Sequence, residues 1–134
     1  MTNDATLQRL QELTKGLFFM SESDYPLDIV HYDAAEAVAL SDAEVKQMAG
    51  QLSEAKVETV ELAYFLRNMT KTAPEADDAA KQVAERYQTL QAFMEQHLGN
   101  VKVYRIGNRE VVALAIGTLP DGGLAGFKTV LIET

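Results

Sequence analysis

Two rhythms of apolar residues alternate along this chain. Near the start, Leu7, Leu10, Leu13 and Leu17 recur at helical spacing. They predict a helix over residues 4–15, with Asn3 placed to cap it and Gly16 to end it. Residues 17–20, Leu-Phe-Phe-Met, are expected to bury against the core. The Ser-Glu-Ser-Asp-Tyr-Pro stretch at 21–26 is expected to be a polar loop, because Ser and Asp side chains compete for backbone hydrogen bonds. Residues 27–32 carry apolar side chains on both parities and predict a strand. Ser41 and Glu44 form a capping box that predicts a short helix over 41–49. Residues 57–60 read as a short strand or a helix lead-in, and Leu62, Phe65, Leu66 and Met69 then make a helical stripe. Thr72 with Glu75, and Pro74 between them, predict the start of a long helix reaching residue 98. Its expected buried stripe is Ala76, Ala80, Val83, Tyr87, Leu90, Met94 and Leu98. His97 sits where a cation answers the helix dipole.

The rhythm changes after residue 100. Three strand-like runs follow, separated by Gly107-Asn108 and by Pro120-Asp121-Gly122-Gly123. The middle run, 111–116, is apolar at every position, and the last holds Phe127, Val130, Leu131 and Ile132. Without alternation, both faces of these strands must be covered. Helices on both sides of such strands predict the α/β (α+β) class: a three-layer α/β/α sandwich around a mixed, partly antiparallel sheet. Glu133 and Thr134 fall at the tip of a strand expected to be central, placing a side-chain carboxylate, a hydroxyl and an α-carboxylate on a rigid mount.

A chain of 134 residues suits one domain. Its 47% hydrophobic content belongs to a folded protein. No apolar run is long enough to span a membrane, and the polar start is not a signal peptide. The lack of cysteine excludes disulfides, thiolate metal sites and thiol nucleophiles, and is compatible with a cytoplasmic location. Twelve Lys and Arg against 20 Asp and Glu leave a net charge of −8. Such a surface repels phosphate backbones and attracts a basic partner. Solubility alone also accounts for it.

The sequence offers little catalytic chemistry. The H-E-x-x-H, P-loop, G-x-G-x-x-G and G-x-S-x-G patterns are all missing, so no cofactor or catalytic residue is assigned. His31 falls within a strand, where a packing role is the commoner one. The polar features left over are two acidic tips, Glu22-Ser23-Asp24 and Glu133-Thr134.

Two segments carry a resemblance. GLFFMSESDYP at 16–26, and the run from VYRIG at 103 through AIGTLPDGGLAG to the final Glu-Thr, are similar to the nuclease A inhibitors of cyanobacteria. The resemblance implies a sandwich similar to the plant pathogenesis-related type 1 fold, with residues 1–134 forming a single inhibitor-like domain. It implies a proteinaceous hydrolase inhibitor that blocks a basic, metal-dependent, sugar-nonspecific DNA/RNA endonuclease. Glu22 matches the family glutamate that pairs with a basic residue of the nuclease. Thr134 matches the C-terminal threonine that reaches the nuclease's metal, so any metal contact belongs to the complex. A working C-terminus favours a monomer when free.

There is one departure. The family offers an acid beside a large aromatic before the long helix, whereas residues 71–78, KTAPEADD, hold Glu75 and Asp77 but no aromatic. Aromatic residues are frequent binding hot spots. The departure keeps open a second reading, an acidic interaction domain with a non-nuclease partner. An enzyme or small-molecule binder using the sheet edge near His31 ranks third.

Overall fold

A computed structural model describes residues 3–20, 24–32, 56–107, 109–120 and 122–132. The expected helix at 41–49 lies outside the described residues. Helix α1 (Asn3–Thr14) stops one residue short of the expected end, with Gly16 at φ +71° in the turn that follows, and Leu17 N–H donates to the Thr14 carbonyl at 3.0 Å. The chain continues through β1 (Phe18–Met20), β2 (Asp24–Pro26) and β3 (Asp28–Tyr32). Strand β4 (Val57–Val60) leads into the one-turn helix α2 (Leu62–Phe65). The long helix α3 (Asp78–His97) runs directly into the meander of β5 (Gly99–Ile106), β6 (Glu110–Thr118) and β7 (Leu124–Ile132).

Five strands form one sheet in the order β3-β7-β6-β5-β4, and β1 and β2 pair separately. Every described pairing is antiparallel, which corrects the expected mixed sheet. The reason is connectivity. Tight turns join β5, β6 and β7, and a tight turn can link only antiparallel neighbours. The helices α2 and α3 join β4 to its antiparallel neighbour β5 and are not a parallel crossover.

The all-apolar run became the middle strand. Every residue of β6 from Val111 to Gly117 is buried, so both sheet faces are covered. On one face Leu10 and Leu13 of α1, Phe65 of α2, and Tyr87, Leu90 and Met94 of α3 pack with Val103, Ala113, Ala115 and Phe127. On the other, Ile106 clusters with Val112, and Leu114 and Ile116 cluster with Leu124. Gly126 allows the two inner strands to approach closely. A Cβ there would lie 1.8 Å from the carbonyl oxygen of Ala115. At the β5–β6 turn Gly107 adopts φ +116°, a conformation that glycine reaches without steric cost.

Helix α3 starts later than the capping box predicts. Asp77 is its cap, its carboxylate accepting from the Ala80 N–H at 2.8 Å. The buried stripe accordingly begins at Ala84, with Tyr87, Leu90, Phe93 and Met94 below it. Ala80 is exposed rather than buried, and Ala76, Ala80 and Val83 line a shallow apolar groove with Asn68 and Met69.

Candidate functional site: a hairpin beside the last strand

The stretch expected to be a polar loop is partly a strand. Asp24–Pro26 pairs with β1 in the register Phe18↔Pro26, Phe19↔Tyr25 and Met20↔Asp24. A hairpin of two three-residue strands has little stability of its own, so tertiary contacts must hold it. Four do so. The Phe19 ring stacks on Phe65 with centroids 4.7 Å apart and planes 15° from parallel. Leu27 N–H donates to the Leu17 carbonyl at 3.3 Å. The Tyr87 hydroxyl on α3 donates to the Phe18 carbonyl. From the sheet, the Thr129 hydroxyl donates to the Tyr25 carbonyl at 3.5 Å.

Residue Phe18 corrects another expectation. Successive side chains along a strand point to opposite faces, so burying Phe19 turns Phe18 outward. Phe19 is 7% exposed and Phe18 47%. Pro26, across from Phe18, is exposed as well, and so is Asp24.

Beneath the hairpin, burial pushes the Tyr87 phenol above its ordinary tyrosine value. Arg86 opposes that shift, and the nearby Asp24 carboxylate adds to it. Arg86 itself donates to the carbonyls of Leu13 and Lys15, tying α3 to the end of α1. Asp24, which follows Ser23 in sequence, therefore lies close to Tyr87 at a braced corner of the fold.

The last strand passes alongside. Pairing of β3 with β7 begins at Asp28↔Lys128, so β7 residues 129–132 run past the start of β3. On that stretch the neighbours are β2, through Thr129 and Tyr25, and β6, through Leu131↔Val111 and Ile132↔Glu110. Glu22, Ser23, Glu133 and Thr134 themselves lie outside the described residues. The described residues that lead into them, Asp24 and Ile132, belong to elements that pack together. Strand β7 is interior, between β3 and β6, as predicted for the strand carrying the tip.

Glu75 is exposed on the turn before α3. No hydrogen bond or ion pair among the described residues joins it to the hairpin or to β7. Asp77 is committed to capping α3, and Asp78 lies in its first turn. His31 is exposed at mid-strand in β3, opposite Ala125. Among the described residues no group of three or more His, Asp or Glu is placed to hold a metal ion, and no helix is long and apolar enough to cross a membrane.

An antiparallel α+β scaffold that offers an acidic hairpin beside an interior strand suits a protein that binds another macromolecule. The chain matches the nuclease A inhibitor-like protein family over residues 4–134 and belongs to that family. Membership supports a nuclease-inhibitor role, implies a nuclease as partner, and sets the chain among inhibitors rather than enzymes. A comparison with curated proteins finds no match.

Sequence reasoning missed the outward Phe18 and its brace, Tyr87. The Phe18-Phe19 pair carried the signal for the first, since a strand cannot bury both neighbours on one face. No local signal marked the second, because the two residues meet only after folding.

Proposed function

We propose that this protein inhibits a metal-dependent, sugar-nonspecific DNA/RNA endonuclease stoichiometrically, by filling its active site. The family match across residues 4–134 carries the reading. The packing of β2 against β7 supports it, because the segments leading to both acidic tips sit side by side. In the complex Glu22 pairs with a basic residue of the nuclease, with Ser23 and Asp24 beside it. Glu133 and Thr134 enter the catalytic centre, and Glu75 adds a peripheral acidic contact.

The chemistry suits that role. An α-carboxylate has a reference pKa of roughly 3.5, so at neutral pH it is an anion. Magnesium prefers hard oxygen ligands and retains several waters when bound to protein. The carboxylate and hydroxyl of Thr134 would replace two such waters and imitate a substrate phosphate. The net charge of −8 complements a groove built for nucleic acid, which speeds encounter and selects the partner.

The test is a titration into a magnesium-dependent nonspecific endonuclease with DNA cleavage as readout. The 134-residue chain is compared with one lacking Thr134 and with Lys81→Ala, an exposed position on α3. The 134-residue chain and Lys81→Ala should give the same sharp stoichiometric endpoint. Loss of Thr134 should weaken inhibition by about 30-fold, the scale of a binding hot spot. Equal inhibition with and without Thr134 would sink the metal-plugging mechanism.

A further inference from the structure

Resting on the inhibitor reading, we propose that Phe18 is an aromatic anchor of the same interface. It would seat in an apolar pocket of the nuclease next to the basic residues that meet Glu22. Two large hydrophobic side chains are exposed among the described residues, Phe18 at 47% and Tyr64 at 54%. Their surroundings differ. The Arg67 guanidinium lies 3.8 Å from the centre of the Tyr64 ring and donates to the Tyr64 carbonyl at 2.6 Å. Tyr64 thus serves a local contact. The outward ring of Phe18 instead shares its face of the hairpin with exposed Pro26, and exposed Asp24 borders it.

The mounting is rigid. The Phe18 carbonyl accepts from the buried Tyr87 hydroxyl, the next residue stacks on Phe65, and Leu17 is bonded across to Leu27. A backbone held in place before binding loses little freedom on association, so more of the ring's burial appears as affinity. An apolar centre with a charged rim is also the usual anatomy of an interface.

Charge selects the occupant. Asp24 borders the ring on an exposed position, and the chain carries −8 overall. A second copy or an anionic lipid surface would be repelled, whereas a nuclease surface shaped for phosphates would be attracted. Glu22 and Ser23 directly precede Asp24 in sequence, so one docking event would engage both.

The experiment measures association and dissociation rates, and inhibition, with a magnesium-dependent nonspecific endonuclease. The chains are wild type, Phe18→Ala, Phe18→Leu, Tyr64→Ala and the chain lacking Thr134. Phe18→Ala should weaken binding by about 30-fold, mostly through faster dissociation. Phe18→Leu should fall between, and Tyr64→Ala should stay within about twofold of wild type. All should keep the wild-type melting temperature within a few degrees, since neither ring is in the core. Wild-type inhibition that Phe18→Ala leaves unchanged would overturn the anchor while leaving the inhibitor reading intact. Absence of wild-type inhibition, with the chain lacking Thr134 equally inert, would overturn both. Self-association of the wild type that Phe18→Ala abolishes would assign the ring to a second copy and overturn the proposal.

Discussion

The Tyr87 hydroxyl donates its hydrogen to the carbonyl oxygen of Phe18, fastening the middle of α3 to the first strand of the acidic hairpin. The two residues are 69 positions apart, and the bond is partly buried. It joins the helical layer to the element that leads into Glu22. Replacing the phenol by phenyl leaves the packing almost unchanged and orphans one carbonyl. Tyr87→Phe should therefore cost about 1 kcal/mol of stability. Urea denaturation at neutral pH reads this directly, and a loss above about 3 kcal/mol would mean that the residue does more than brace β1.

Alkaline pH should expose the same group. Burial raises the Tyr87 pKa in the folded state, so the fold favours the neutral phenol. In the unfolded chain it ionises near roughly 10. Above that pH the unfolded state sheds a proton that the folded state keeps, and stability falls until the raised folded value is reached. Below it the contribution is fully present. Tyr104 is also raised by burial, with Lys102 opposing, and should add to the decline. Stability measured between pH 8 and 11 should fall less steeply in Tyr87→Phe than in wild type, leaving the Tyr104 part. An identical decline would show that Tyr87 does not titrate as described.

Gly126 admits no side chain. A Cβ would meet the Ala115 carbonyl oxygen at 1.8 Å and the Ile116 Cα at 3.0 Å, both backbone atoms of the neighbouring strand. Neither can swing away. Gly126→Ala should destabilise the protein by about 3 kcal/mol or more, since relief requires parting β6 from β7. Thermal unfolding would show it, and inhibition should weaken in parallel because β7 leads to Glu133 and Thr134.

At the start of α3, Asp77→Ala removes the acceptor for the Ala80 N–H and should cost about 1 kcal/mol. Asp77→Asn should recover most of that loss, because an amide oxygen also caps. If both variants retain full inhibition, the acidic contribution of this segment falls to Glu75 or is negligible. Glu75→Gln then separates those outcomes.

Salt should act on the encounter rate more than on lifetime. With a net charge of −8, association with a basic nuclease should slow by about 10-fold between 0.05 and 0.5 M salt, while dissociation changes far less. Stopped-flow mixing at several salt concentrations would show the slope. A flat dependence would remove electrostatic steering from the mechanism.

The residue pattern alone determined the elements whose signals are local. Helical spacing of Leu7, Leu10 and Leu13 with Gly16 behind them placed α1. The unbroken apolar run at 111–116 required a strand covered on both faces, and it became the middle of the sheet. Turn residues at 107 and 120–123 separated the three final strands. The family resemblance was likewise carried by short motifs that need no fold to be read. Tertiary structure decided the rest, because the deciding partners lie far apart in sequence. Residues 24–26 became a strand once β1 supplied their hydrogen-bond partners, against the loop preference of Ser and Asp. The sheet became antiparallel because β3 and β4 found β7 and β5 as neighbours. Asp77 displaced the Thr72–Glu75 box as the start of α3. Tyr87, one buried aromatic among several in the sequence, acquired its role only when folding brought it to the Phe18 carbonyl. A hydrogen bond across 69 residues leaves no periodic trace along the chain.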